Sequence, residues 1–319
     1  MKVFSDYTNI DDGDAKVVAI GNFDGVHRGH QALIEQAALR AISTDTKSSV
    51  LTFDPHPVKL FEPDVDLQEL TSLQERVALM QHYGVAMVLA QTFDRAFASL
   101  SDVAFAREVL SRGMRAQAVV VGYDFRFGAG RKGDSDALRR YGADLGFDVV
   151  VIDPVTESDS VAISSTRVRA ELSNGHLDEV RGLLGRSMHF FGEVVRGEQR
   201  GRRLGFRTAN MQPDVDIFMP SGVYSGWLDY GEGPFKAVAN IGHTPTFGAD
   251  RPKSLEVHVL NREVPELYGR CVRFWLADFI RPERRFESAD RLVRQIHDDC
   301  AAALRGLEMP EMPPTLAWP

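Results

Sequence analysis

The segment GNFDGVHRGH, from Gly21 to His30, places two imidazoles three positions apart among three glycines. Glycines at 21, 25 and 29 let a backbone come close to a phosphate, and His27 and His30 supply two donors to one anion. The run AKVVAI precedes the segment, and a helical pattern follows from about His30 to Arg40. The loop is therefore expected at the carboxyl edge of a strand, with the positive end of a helix behind it. Ligands of open α/β sheets bind at that edge. A lone histidine is more often structural; the pair, with Gly29 between and a strand before, points to chemistry on a nucleotide phosphate.

The elements that must position this loop follow from length and patterning. A chain of 319 residues is near the size of two domains. Hydrophobic residues at 44% and charged residues at 26% describe a folded globular protein. Up to about residue 155, short β-branched runs (AKVVAI, SSVLTF, VAMVLA, AQAVVVG, FDVVVI) alternate with helical patterns at Leu73–Tyr83 and after Ser101, an N-cap for DVAFAREVL. That alternation predicts a parallel sheet covered on both faces. SNG, from Ser173 to Gly175, reads as a helix stop before a short helix through Leu183 and Leu184. From about Met188 to Phe279 the chain reads as short strands between turns, with MHFFGEVV, GVYSGWL, FKAVANI, LEVHVL and RCVRFWLADF the clearest, which predicts a small antiparallel barrel or sandwich. Leu292, Ile296, Cys300 and Leu304 recur at helical spacing after Glu287 and predict a helix packed on that barrel. The proline-rich tail MPEMPPTLAWP is expected to be loose.

Composition excludes several classes. Lys and Arg total 37 against 45 for Asp and Glu, and a net charge of -8 argues against binding nucleic acid or anionic membranes. Cys271 and Cys300 lack the paired spacing of a zinc or redox site and are expected in the core. No run approaches the length of a membrane span, and the acidic start MKVFSDYTNIDDGD does not read as a secretory signal. A cytoplasmic location is expected, with small-molecule substrates and a monomer or transient homo-oligomer.

His27-Arg28-Gly29-His30 resembles the H-x-G-H signature of nucleotidyltransferases, whose histidines stabilise charge on the α-phosphate as pyrophosphate leaves. The superfamily carries a second signature, and ISSTRVR, Ile163 to Arg169, looks like it. The resemblance implies that Ser164, Ser165 and Thr166 offer hydroxyls and helix-terminal N–H groups, with Arg167 or Arg169 supplying fixed positive charge for the β- and γ-phosphates. LTFDPHPVKLF and VGYDFRFGAGRKGD narrow the resemblance to the bifunctional bacterial riboflavin kinase and FAD synthetase family. In that family the TFDPHP segment lines the flavin pocket. Phe53, His56, Pro57 and Phe61 are then flavin-binding residues; Gly21, Phe23, Gly29 and Asp124 belong to the nucleotide site.

The second half resembles the same family. GRRLGFRTANM is similar to its G-F-P-T-A-N kinase motif, which assigns Gly201, Gly205, Thr208 and Asn210 to ATP, Thr208 and Asn210 to Mg2+, and Glu256 of SLEVHVLN to the catalytic base. Arg207 stands in place of the family proline, and Asn261-Arg262 in place of a frequent Asp-Phe; the first departure implies weakened or altered ATP affinity. The fold implied is a Rossmann-like nucleotidyltransferase domain with a parallel sheet, residues 1–186. A riboflavin kinase-like antiparallel β-barrel closed by a C-terminal helix, residues 187–319, follows it. The activity implied converts riboflavin and ATP to FMN, then FMN and ATP to FAD and pyrophosphate. Two alternatives are an enzyme with only the adenylyltransferase half active and a non-catalytic flavin-binding regulator.

Overall fold

The computed structural model describes residues 1–157, 160–197, 206–242, 253–307 and 316–318. These fall into two compact units: Met1–Leu67 with Leu73–Ser164, and Gln68–Ser72 with Ser165–Trp318.

The first unit is a six-stranded sheet of β1 (Lys2–Phe4), β2 (Lys16–Ile20), β3 (Lys47–Asp54), β4 (Met87–Thr92), β5 (Ala116–Gly122) and β6 (Asp148–Ile152). Its order is β1-β4-β3-β2-β5-β6, and every pairing is parallel. Its helices are α1 (Arg28–Ser43), α2 (Pro57–Phe61), α3 (Leu73–His82), α4 (Arg95–Ala98), α5 (Asp102–Ala104) and α6 (Ser135–Leu145). From β2 the chain winds outward through β3 and β4, then returns to the other side of β2 for β5 and β6. The connections at the carboxyl ends of β2 and β5 therefore diverge, which opens the crevice where such sheets take ligands.

The apolar runs of the sequence become the central strands. All five residues of β2 are buried, and Val18, Ile20, Leu51, Leu89, Val119 and Val121 share one core. Lys16, fully buried at the start of β2, is compensated by Asp12 at 2.6 Å and by the Asp14 carbonyl at 2.8 Å. The helix after Ser101 forms, with the Ser101 hydroxyl accepting from the Ala104 N–H at 3.1 Å, but from Phe105 to Gly113 it is π-wound. Strand β1 has no counterpart among the predicted elements. It is three residues long, mostly exposed, and exists through its pairing with β4, a long-range contact that no local pattern announces.

The second unit begins with α7 (Ser165–Asn174) and α8 (Leu177–Leu184). Strands β7 (His189–Val195), β8 (Ala209–Pro213), β9 (Gly222–Asp229), β10 (Pro234–Gly242), β11 (Ser254–Val259) and β12 (Cys271–Pro282) follow, then helix α9 (Ala289–Gly306). The strands close into a barrel in the order β10-β11-β8-β7-β12-β9, with every pairing antiparallel. Along β11 the period of two places Leu255, Val257 and Val259 in the core, with Glu256 and His258 half-buried on the other face. On α9, Cys300, Ala303 and Leu304 pack against Val223, Val238, Leu260 and Ile280.

Two expectations are corrected. Cys271 is exposed, because it is the first residue of β12, in register with the exposed Glu193; Cys300 is half-buried, its thiol pushed up to about 11 by burial. The tail is not loose at Leu316–Trp318. Arg273, fully buried on β12, donates to the carbonyls of Leu316 at 3.3 Å and Ala317 at 2.7 Å, and its guanidinium lies 4.6 Å from the centroid of the Trp318 ring. A buried cation needs acceptors, and the chain end supplies two of them.

Candidate functional sites

The loop after β2 forms at the switch point. Helix α1 opens one residue after His27, which is its N-cap: Nδ1 of His27 accepts from the His30 N–H at 3.3 Å. A neutral imidazole whose Nδ1 accepts carries its proton on Nε2, so capping sets the tautomer and makes Nε2 a donor. The His30 ring stacks on His27 with centroids 3.7 Å apart, and Phe23 lies 5.0 Å from His30 on centroids. Burial, together with the adjacent His27 and the positive Arg76, holds His30 well below the ordinary histidine value, so the ring is neutral at physiological pH.

The glycines of the loop make room for its rings. A Cβ on Gly29 would stand 3.1 Å from Cε1 of His27, and one on Gly21 would stand 3.3 Å from the Phe23 ring. Gly25 has φ of +79°, a conformation suited to glycine, whereas Phe23 and Val26 hold φ of +53° and +41° without being glycine. The start of the second signature reaches the same place, since the Ile163 carbonyl is 3.5 Å from the Gly29 Cβ position. Across the switch point, Asp124 is exposed just beyond β5. Asp134 of the same connection is instead structural, capping α6 by accepting from the Ala137 N–H at 2.8 Å.

Beside these lies an aromatic group at the ends of β3 and β4. Phe53 meets Phe93 at 5.4 Å and Phe97 at 6.0 Å, and Phe61 meets Phe93 at 5.8 Å. Phe61 remains exposed. His56 is buried and caps α2, accepting from the Val58 N–H at 3.3 Å, and Pro57 takes the first helical position. In the second unit, Ser165, Thr166, Arg167 and Arg169 occupy the first turns of α7, while Ser164 ends the first unit. Nε of Arg169 donates to the Gln68 carbonyl at 2.7 Å, a tie between α7 and the Gln68–Ser72 segment.

The barrel carries a second polar group. Glu256 on β11 is in register with Asn210 on β8 and with Asn240 on β10, so the three residues form one row across neighbouring strands. Asn240 donates to Glu283 at 3.2 Å. A Cβ on Gly197 would collide with the Asn210 carboxamide, so that glycine is a cradle for the side chain. Thr208, Asn210 and Arg207 line a cavity of ≈ 150 Å³ whose apolar wall includes Leu228, Val257 and Val259. The Arg207 side chain is exposed, and its carbonyl accepts from the His258 imidazole at 2.8 Å. Gly201 and Gly205 lie outside the described residues.

Residues that sequence reasoning did not select are Asn22, Thr52, Arg76, Phe93, Gly197 and Asn240. Arg76 had a readable signal: it falls on the same helical face as the buried Leu79 and Met80, where a charge demands a partner. Phe93 and Gly197 had none, because their roles arise only where separate segments meet.

Comparison with known proteins covers both halves. A family model described as FAD synthetase matches residues 10–167, and one described as riboflavin kinase matches residues 184–307. A bifunctional riboflavin kinase/FMN adenylyltransferase of Escherichia coli strain K12 is 40% identical over 89% of this chain and 90% of that protein. Its counterpart in Pseudomonas fluorescens is 38% identical over 92% and 93%. A crystal structure described as a macrolide-efflux protein from Streptococcus pneumoniae aligns with TM-score 0.83 and 30% identity over 95% of this chain and 98% of that one. Among the described residues, no helix is long and apolar enough to cross a membrane. With a parallel sheet bearing the histidine pair, a closed barrel bearing the Asn–Glu row, and relatives aligned across both, the chain belongs to the family of bifunctional riboflavin kinases/FMN adenylyltransferases.

Proposed function

We propose that each unit's polar group performs one of the family's two steps in this chain, with the functional division at 1–186 and 187–319. The chain is a bifunctional enzyme of FAD biosynthesis: riboflavin and ATP give FMN, and FMN and ATP give FAD and pyrophosphate. The observation that carries the assignment of residues is the contrast between the sites, a stacked imidazole pair in which His30 is neutral at one and a carboxylate in an amide row at the other.

That contrast fits the nucleophiles. The terminal ribityl hydroxyl of riboflavin must lose a proton as it attacks the γ-phosphate, and Glu256 accepts it. The FMN phosphate is already anionic, so its attack on the α-phosphate needs donors rather than a base. His27 Nε2–H and His30 supply them, with Arg167 adding fixed charge. We assign Gly21, Phe23, Gly29, Asp124, Ser164, Ser165, Thr166 and Arg169 to nucleotide binding, and Phe53, His56, Pro57 and Phe61 to flavin binding, with Phe93 added from the aromatic group. In the barrel, Gly201, Gly205, Thr208 and Asn210 hold ATP.

The residues fit magnesium in the kinase site: Thr208 and Asn210 are hard oxygen donors at one cavity, and the Asn210 carboxamide is cradled by Gly197. Thr208 and Asn210 would hold Mg2+ there, and the ion would supply charge neutralisation for the phosphates. Thr208 and Asn210 orient the triphosphate toward the Glu256 row. We further place the protein in the cytoplasm, as a monomer or transient homo-oligomer acting on small molecules.

The test is incubation with Mg2+, ATP and either riboflavin or FMN, followed by chromatographic separation of the flavins. FMN and FAD from riboflavin, and FAD from FMN, are expected. FAD from FMN without FMN from riboflavin would leave one active half, and bound flavin without product would leave a regulator.

A further inference from the structure

The loop that carries the histidines holds two non-glycine residues, Phe23 and Val26, at positive φ, a region L residues rarely adopt. Part of what holds it there comes from below. The Asn22 carbonyl accepts two side-chain hydrogen bonds, from Thr52 Oγ1 at 3.0 Å and from Arg76 Nη1 at 3.0 Å. Both donors are buried, Thr52 at 0% and Arg76 at 1% exposure. The Asn22–Phe23 peptide is trans, so its C=O and N–H point to opposite sides. Tethering the oxygen to Thr52 and Arg76 turns the Phe23 N–H away from them, and among the described residues that N–H has no acceptor.

The second arm of the same guanidinium points elsewhere. Nη2 of Arg76 lies 3.9 Å from Oδ1 of Asp54, the last residue of β3 and the first of the Asp-Pro-His-Pro segment. One buried, permanently charged fork therefore spans the start of the nucleotide loop and the start of the flavin segment. Lysine has no such fork.

Building on the adenylyltransferase reading above, we propose that Arg76 and Thr52 are positioning residues for that step. Together they lock the Asn22–Phe23 peptide so that the Phe23 N–H is presented as a donor to the nucleotide phosphates, beside the histidine pair. The positive charge of Arg76 also bears on His30, consistent with its neutral ring.

The experiment measures FMN adenylylation and riboflavin phosphorylation on the full chain for Thr52→Val, Thr52→Ser, Arg76→Lys and Arg76→Met, with melting curves for each. Losing one preorganised donor at a phosphate is expected to lower kcat for adenylylation by about tenfold or more. The loss should appear in Thr52→Val and both Arg76 variants, with the FMN KM held within about twofold and the phosphorylation rate unchanged. Thr52→Ser, which keeps the hydroxyl, should recover most of the rate lost in Thr52→Val. If Arg76→Met does not fold, the two Thr52 variants and Arg76→Lys decide. Folded variants whose adenylylation kcat matches the wild type would overturn the lock, as would equal losses in both activities. A wild-type chain that makes no FAD from FMN would instead overturn the site assignment on which the lock rests.

Discussion

His27 caps the helix that carries His30, and the His30 ring stacks on the cap, centroids 3.7 Å apart and planes 15° from parallel. A single turn thus joins helix termination, tautomer choice and the spacing of two donors. Two imidazolium rings would repel at this distance, so the stack disfavours charge on both rings at once, and His30 is the ring held neutral.

Acid should weaken this unit through His30. Its pKa is lowered in the fold and ordinary in the unfolded chain, so the native state binds fewer protons once pH falls below about 6.5. Stability is then unaffected by His30 above that pH and declines below it. The melting temperature should fall less steeply between pH 7.5 and 5.5 in His30→Phe than in the wild type. Parallel slopes would show that His30 is not the responsible group.

Replacing His27 should separate capping from chemistry. Asparagine is a strong N-cap, whereas alanine loses about 1 kcal/mol. His27→Asn should melt near the wild type and His27→Ala below it. Both should lose about 10²–10³ in FMN adenylylation, the effect of removing a donor from developing charge. Riboflavin phosphorylation should be retained in both, as read from FMN formation under saturating ATP.

Glu256→Gln keeps the volume and the row with Asn210 and Asn240 but removes the base. Phosphorylation of riboflavin should fall by about 10²–10⁴, and conversion of added FMN to FAD should continue at the wild-type rate. A variant that phosphorylates normally would remove Glu256 from the mechanism.

Arg207→Pro probes the departure from the family motif. The exposed side chain is lost, but the carbonyl that accepts from His258 remains, so the turn should persist, stabilised by about 0.4–1 kcal/mol if its φ suits proline. A changed KM for ATP in the kinase reaction is expected. Unchanged KM and kcat would show that Arg207 has no influence on nucleotide binding.

Much of both sites was legible because it is local. His27, Gly29 and His30 share one turn, so their spacing alone predicts that they converge. The alternation of LEVHVL places Glu256 on the face opposite the core, as the barrel shows. What remained hidden depends on pairing between distant segments. Asn240 becomes a neighbour of Glu256 only through the β10–β11 register, and Asn210 through β8–β11.

Periodicity and turn chemistry act over a few residues, and they were enough to set the class of each half, the position of the histidine loop after a buried strand, and the residue types at the two sites. Tertiary structure alone decided what those residues do to one another. The strand order put the loop at the switch point, β1 paired with β4, and the chain end settled on Arg273. It also brought Thr52 and Arg76 under the Asn22 carbonyl, 30 and 54 positions along the chain. Buried donors must find acceptors wherever packing leaves them, and only the assembled core specifies where that is.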